Sequence, residues 1–313
     1  MSVVYLIQSH DALPQLRRLV GHLQAPAGDR RIVVAHDGSR HPITRADLPA
    51  GDDVTLLLRR EPVRRGEFSC LEPWLDTAAR WLDDGYSFDW LVYLSGRDYP
   101  VRPVAEIERS LAVMPEDGLL RHWAFDGPDN PWGPRRTHRR YDFRYRRLPE
   151  SLRAPLKLAR PLLHLAGLEL SLTYGVHLGR PARPPLFGPG FPGWGGLQWH
   201  SLRRAAVEYV VEFTRSRPEI VEAFRQTLVP DEAYVQTVLL NAGRFTFRND
   251  SRRYADTQER PGGHCRTLTD ADFDELTSGK YDFARKFDPV ESAGLLERLE
   301  AWLQVALACV EPK

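Results

Sequence analysis

Cysteine is scarce in this chain: three in 313 residues, Cys70, Cys265 and Cys309. An odd number at wide spacing forms neither a disulfide framework nor a zinc pattern, and a reducing, cytoplasmic setting is the expectation. An excess of charge of one sign is also lacking. The 43 Lys and Arg against 42 Asp and Glu leave a net charge of +1, so no global field points to nucleic acid as a partner. No apolar run reaches the roughly 18 residues of a membrane-spanning helix. The nearest approach, Ala154 to Leu172, is interrupted by Lys157, Arg160, His164 and Glu169. The N-terminus lacks the basic lead of a signal peptide. Gly-x-x-x-x-Gly-Lys does not occur, and the Gly-x-Gly-x-x-Gly spacing of Gly188 to Gly193 falls in a Pro- and Gly-rich stretch that cannot be regular structure, which argues against a P-loop or dinucleotide enzyme. The ten histidines lack metal-ligand spacing, so no metal is expected.

What is present is an α/β rhythm. Val3 to Gln8 is a continuous apolar run, as a buried parallel strand requires. Leu13, Leu16, Leu19, Val20 and Leu23 then share one helical face. Strands are expected at Arg31–Asp37, Val54–Leu58 and Asp89–Ser95, with an amphipathic helix over Trp74–Leu82. This order predicts a mostly parallel sheet whose ligands bind beyond the carboxyl ends of the strands. Gln8, Ser9, His10, Asp37 and Asp98 stand at those ends and are expected to cluster.

From Arg121 to Gly195 the character changes to Arg, Pro and Gly, and strands are hard to find. An arginine cluster runs from Arg135 to Arg147. This stretch is expected to be an irregular excursion on the acceptor side of a pocket, with its arginines open to solvent or meeting an anionic surface, so that peripheral membrane contact is possible. Helices are expected over Trp199–Arg215, Pro218–Leu228, from Pro230 onward, and from about Pro289 to Leu307. The chain is thus expected to form one domain over 1–313, with a nucleotide-binding half at 1–120, the excursion at 121–195, and a catalytic and diphosphate-binding half at 196–313.

Particular residues carry the chemistry. Pro suits the first position of a helix, and carboxylates are favoured in the first turn, so Pro230-Asp231-Glu232 presents a carboxylate ready to take a proton from a hydroxyl. The same composition also suits an ordinary helix start. Arg285 and Lys286 lie between Phe283 and Phe287 and could anchor a diphosphate, with Arg266 adding a bidentate grip. Trp194, Gln198 and Trp199 flank the glycine pair Gly195-Gly196 and suit contact with a sugar. Asp270-Ala271-Asp272 matches a metal-binding Asp-x-Asp, but it precedes a helical stretch and is expected to be a cap.

Taken in order, Ile7-Gln-Ser-His10, His36-Asp-Gly38, Arg65-Gly-Glu-Phe-Ser69, Leu94-Ser-Gly-Arg-Asp-Tyr-Pro100, Gly196-Leu-Gln-Trp-His-Ser-Leu202, Pro230-Asp-Glu232 and Phe283-Ala-Arg-Lys-Phe287 resemble glycosyltransferase family 14. That family holds the core-2/I-branching N-acetylglucosaminyltransferases and the peptide O-xylosyltransferases. The resemblance implies a GT-A-type fold and inverting, metal-independent transfer from a UDP-sugar, UDP-GlcNAc first and UDP-xylose next, to a glycan or small-molecule acceptor. It needs no cofactor beyond that co-substrate. It implies Glu232 as general base, Arg266 and Lys286 as diphosphate ligands, and Asp37 and Asp98 on the nucleoside side. Where the family carries an acceptor-stacking Trp this chain has Thr257, and where it carries Trp-Gly this chain has Arg65-Gly66. These departures leave open a non-catalytic binding protein on the same scaffold.

Overall fold

A computed structural model of the chain describes residues 1–25, 28–256 and 265–308. In chain order the elements are β1 (Val3–Ser9), α1 (Leu13–Gln24), β2 (Arg30–Asp37), β3 (Val54–Arg59), α2 (Glu72–Asp83), β4 (Trp90–Ser95), β5 (Tyr99–Pro100), α3 (Val104–Ala112), β6 (Gly118–Leu119), β7 (His122–Ala124), α4 (Gly133–Tyr141) and β8 (Phe143–Leu148). Then follow α5 (Arg153–Leu158), α6 (Arg160–Leu165), β9 (Glu169–Ser171), β10 (Val176–Pro181), β11 (Trp194–Gly196), β12 (Ser201–Arg203), α7 (Arg204–Ser216), α8 (Pro218–Arg225) and α9 (Tyr234–Asn241). The chain closes with β13 (Phe247–Arg248), β14 (Arg253–Ala255), α10 (Phe273–Leu276), β15 (Phe283–Arg285) and α11 (Ala293–Ala308).

A 7-stranded sheet in the order β13-β6-β12-β4-β1-β2-β3 forms the centre. It is mostly parallel; β12 alone runs against its neighbours β4 and β6. Both faces are covered, which is why its strands are apolar on both sides. Val4, Leu6, Leu91 and Tyr93 pack beneath Trp74, Val207 and Val238 of α2, α7 and α9. Tyr5, Ile7, Val92 and Leu94 pack on the other face against Leu16, Leu19 and Ile107 of α1 and α3. The mixed α/β architecture agrees with the expected GT-A-type fold. Strand order reverses at β1, which lies between β2 and β4, and an open sheet leaves its crevice at such a point. In register, Gln8 lies beside Ser95 at that edge. Among the described residues no helix is long and apolar enough to cross a membrane.

Three expectations change. The helix expected from Trp199 begins at Arg204, because Ser201–Arg203 is drawn into the central sheet between β4 and β6. The region 121–195 is not devoid of strands. β8, β10 and β9 form an antiparallel sheet, and β11 pairs with β7. β8 escapes a periodicity reading because it spells Phe-Arg-Tyr-Arg-Arg-Leu and its partner β10 lies some distance along the chain. The irregular part narrows to the run between β10 and β11. The last helix starts at Ala293 rather than near Pro289, since Asp288 first caps the turn by accepting from the amides of Val290 and Glu291.

Candidate active site

The ends of β1 and β4 form a polar platform. Gln8 accepts a hydrogen bond from the Tyr93 hydroxyl, and the Gln198 amide donates to both Gln8 Oε1 (3.2 Å) and the Tyr93 oxygen (3.1 Å). Buried tyrosines need such a partner. Ser9 meets His36 Nδ1 at 2.8 Å, and His36 Nε2 meets the His41 carbonyl at 2.7 Å. Gly96 permits the crossing: its amide donates to the Gln8 carbonyl, and a Cβ there would stand 2.8 Å from Ser9 Cβ. Asp37, at the end of β2, accepts from the amides of Ser39 (2.9 Å) and Val63 (2.8 Å). Burial pushes its carboxyl up, but the Ser39 hydroxyl, then these amides and the nearby His10, outweigh it, and the carboxyl sits below its ordinary range.

A basic corner adjoins this platform. Asp98 is fully buried and accepts from the Ser95 amide at 3.1 Å and from the Ser95 hydroxyl. Arg285 stands 3.4 Å from Asp98 and lies over the Trp199 ring, 4.5 Å from its centroid. Trp199 in turn leans on Tyr93, with ring centroids 4.8 Å apart. Arg97 is spanned by Asp11 and Asp288. Arg266 sits between Asp256 and Asp272, so its charge is already matched. Asp272 also accepts from the Thr269 amide, which makes the Asp270–Asp272 segment a capping turn, as its position before a helix implied. The half-buried Lys286 differs from these: no hydrogen bond or ion pair of its ammonium occurs among the described residues. Its charge reaches Asp11 and helps lower that carboxyl's proton affinity, which burial raises and the Arg97 bond brings back down. Also among the described residues, no group of three or more His, Cys, Asp or Glu side chains is placed to hold a metal ion.

The third part is the Pro-Asp-Glu turn. Pro230–Glu232 is a single 3-10 turn, and the α-helix proper begins two residues after Glu232 at Tyr234. Helix-terminal amides therefore do not hold Glu232. Arg140 does, donating from Nη1 to Oε2 at 3.0 Å, with its guanidinium 4.4 Å from the Trp132 centroid. The Arg140 side chain is 7% exposed and that of Glu232 32%. Val229 enters the turn at φ 57°, a costly conformation for a β-branched residue. Neighbours fix it: its amide donates to the Gly66 carbonyl at 2.8 Å, and the Tyr141 hydroxyl donates to its carbonyl at 3.0 Å. Asp231 is partly exposed as a residue, yet its Oδ1 is buried with no hydrogen-bond partner among the described residues. Burial, then the neighbouring Glu232, push its carboxyl up to about 7.

Helix α9 joins the parts. Gln236 donates to the Leu197 carbonyl (2.8 Å), and the Thr237 hydroxyl bridges the Trp194 amide and carbonyl (3.1 Å each), so the helix after Glu232 holds the loop bearing Gln198 and Trp199. A Cβ on Gly196 would collide with the Arg121 carbonyl, so this glycine serves backbone packing. Tyr93 feels the charges of both Asp231 and Arg285. It is the side chain common to the turn, the platform and the basic corner.

Gln8, Ser9, Asp98, Gln198, Trp199 and Arg285 thus come together, with Asp37, His10 and Lys286 beside them. Trp194 is set apart: its indole nitrogen is buried without a partner among the described residues, and its ring meets His122. Thr257 lies outside the described residues. Sequence reasoning missed Tyr93, Arg140 and Asp231 as site residues. A tyrosine inside a wholly buried strand was the available signal for Tyr93. Arg140 had none beyond the arginine surplus.

Residues 189–278, which include β11, β12, the Pro-Asp-Glu turn and Arg266, match the family model described as Core-2/I-Branching enzyme. That match supports the family resemblance. Over 217 residues the chain is 26% identical to beta-glucuronosyltransferase GlcAT14B of Arabidopsis thaliana, covering 68% of this chain and 44% of that protein. Over 130 residues it is 30% identical to xylosyltransferase oxt of Drosophila melanogaster, covering 35% and 15%. A third relative, beta-glucuronosyltransferase GlcAT14A of Arabidopsis thaliana, is 26% identical over 223 residues, covering 69% of this chain and 44% of that protein. The chain spans less than half the length of the relatives it matches.

Proposed function

We propose that this chain is an inverting, metal-independent glycosyltransferase that moves a sugar from a UDP-sugar to an acceptor hydroxyl. The observation that carries this reading is the Glu232 carboxylate. It is partly exposed, held from one side by a nearly buried arginine, set on a fixed turn, and lies within the segment that matches a branching-enzyme family. Glu232 takes the proton of the acceptor hydroxyl as its oxygen attacks the anomeric carbon, opposite the departing UDP. The bond from the anomeric carbon to the diphosphate breaks as the new glycosidic bond forms. Charge then grows on the diphosphate, and cations fixed in place stabilise it most in the transition state. Lys286 is the best placed of the expected ligands, being free of carboxylate partners among the described residues, with Arg285 beside it. Arg266 would have to exchange Asp256 or Asp272 for a phosphate. Asp37 and the Gln8 platform face the nucleoside. UDP-GlcNAc is the first donor to test, and similarity to a xylosyltransferase and to beta-glucuronosyltransferases is the reason to test UDP-xylose and UDP-glucuronic acid as well.

The test is transfer and hydrolysis with these three UDP-sugars in the presence of EDTA, together with Glu232→Gln. Transfer by the variant should fall by about 10²- to 10⁴-fold, while UDP affinity changes by less than about threefold. Equal loss of both would remove Glu232 from the role of base. Turnover of no UDP-sugar and no UDP binding would favour a non-catalytic scaffold.

A further inference from the structure

The consecutive helices α5 and α6, joined end to end through Ala159, are unlike the other α-helices of the fold. Neither helix, nor the 3-10 turn Glu150–Leu152 that leads into them, contributes a single buried residue. The segment is nevertheless rich in leucine. Leu156, Leu163 and Leu168 are half-buried, and α6 packs on β9. Leu158 and Leu165 are each 85% exposed, and Leu162 is 70% exposed. Such residues are ordinary when scattered singly. Here they sit on two consecutive short helices, with Leu152 at the entrance also exposed.

The charge around them has one sign. Between Ser151 and Leu168 there is no Asp or Glu, while Arg153, Lys157 and Arg160 are all present. The flanking acids are taken up: Glu150 pairs with Arg153, and Glu169 with Arg139. Arg160 reaches from α6 to the Leu170 carbonyl at 2.9 Å, fixing the helix to β9. Lys157 is exposed and forms no ion pair among the described residues. On β8, Arg146 is exposed as well. Outward leucines within a cationic surround match the two components of an anionic bilayer interface, which offers hydrocarbon below and negative headgroups above. A protein partner with an acidic rim would offer the second, but a flexible lipid surface also suits side chains that present no groove.

We propose that the α5–α6 segment is a peripheral docking element for anionic lipid bilayers, with Leu158, Leu162 and Leu165 entering the interface and Lys157 meeting the headgroups. The same antiparallel sheet presents Tyr145 of β8 to Leu228 and Val229 at the Pro-Asp-Glu turn. Docking would therefore bring the acceptor side of the site, rather than the nucleotide side, to the bilayer.

The experiment is co-flotation of the whole chain with vesicles of phosphatidylcholine alone and of phosphatidylcholine containing phosphatidylglycerol. Binding should favour the anionic vesicles and weaken as salt rises. The combined variant Leu158→Ser, Leu162→Ser, Leu165→Ser should lower partitioning by at least about tenfold, with the melting temperature unchanged because none of these side chains is buried. Lys157→Glu should cut the preference for anionic vesicles by about fivefold or more. Failure of the wild-type chain to float with either vesicle would overturn the proposal, as would binding that survives the triple variant. Self-association of the wild-type chain that the triple variant abolishes, without vesicle binding, would assign the leucines to a second copy instead.

Discussion

The central sheet and the excursion between Arg121 and Gly195 solve the same problem in opposite ways. In the sheet, position along the chain decides function: strands run parallel, side chains alternate between two buried faces, and the polar residues that survive are those where β1, β2 and β4 end. The excursion also buries aromatic rings, Phe125, Tyr141 and Phe187 among them, but three of its arginines are each tied to one particular partner. Arg139 goes to Glu169, Arg140 to Glu232 and the Trp132 ring, Arg147 to Glu67. A region assembled from apolar faces positions a site by register. A region assembled from ion pairs positions it by single contacts, and each of those contacts can be cut.

The largest effect should therefore come from cutting Arg140. Arg140→Ala leaves Glu232 without its donor, opens space beside Trp132, and breaks a pair of which one member is nearly buried. Removing one partner of such a pair destabilises by about 3 kcal/mol. Transfer should fall together with stability. Arg140→Lys distinguishes the two roles. It keeps the charge but loses the planar stacking on Trp132, so stability should recover further than activity. Chemical denaturation beside single-turnover transfer would show whether the two separate. Full activity in Arg140→Ala would mean that the excursion does not position the base.

A smaller effect tests the sheet. His200 is fully buried between Trp74 and Tyr93, and among the described residues neither ring nitrogen has a well-formed hydrogen bond; only the Gln198 backbone approaches. Burial first, and then Arg253, push its pKa down to about 3. The unfolded chain binds a proton near pH 6.5 while the folded one does not, so stability is fully present above pH 6.5 and is lost as pH falls toward 3. At pH 5 the loss is on the order of 2 kcal/mol. His200→Leu should flatten the melting temperature between pH 7 and 5. An unchanged slope would show that another group governs acid sensitivity.

The legibility of the two regions follows the same divide. β1 to β4 could be found because each is a long apolar run, and Gln8, Asp37 and Asp98 followed because strand ends are predictable once strands are. β12 was lost to the helix after it, since Ser201–Arg203 is too short to show a period and its sheet partners are distant. β8 was lost because Arg144, Arg146 and Arg147 look like a solvated cluster until β10 pairs with them. The Arg140–Glu232 pair spans 92 positions and has no local signature. The helix-start argument singled out Glu232 on a support that the structure replaces, because Pro230 opens a 3-10 turn and the ion pair does the holding.

The smallest effect lies where the regions meet, at Asp231. Its buried oxygen lacks a partner among the described residues and its carboxyl is raised to about 7, burial being the main cause and Glu232 the next. An acid so raised contributes stability below its unfolded value, near pH 3.9, and loses it as pH climbs through 7. At pH 8 the folded chain then holds two adjacent anions, with Arg140 shared between their fields. Asp231→Asn removes one of them. It should raise stability by about 1 kcal/mol at pH 8, the gain being limited because the new amide also needs a partner, and should do little at pH 5. Thermal melts of the variant and the wild type at both pH values measure this directly. A turn shaped only for stability would show no such gain. A gain accompanied by a shifted pH profile of transfer would mean that the second carboxylate is kept for its influence on Glu232, at a cost to the fold that the sheet beneath can absorb.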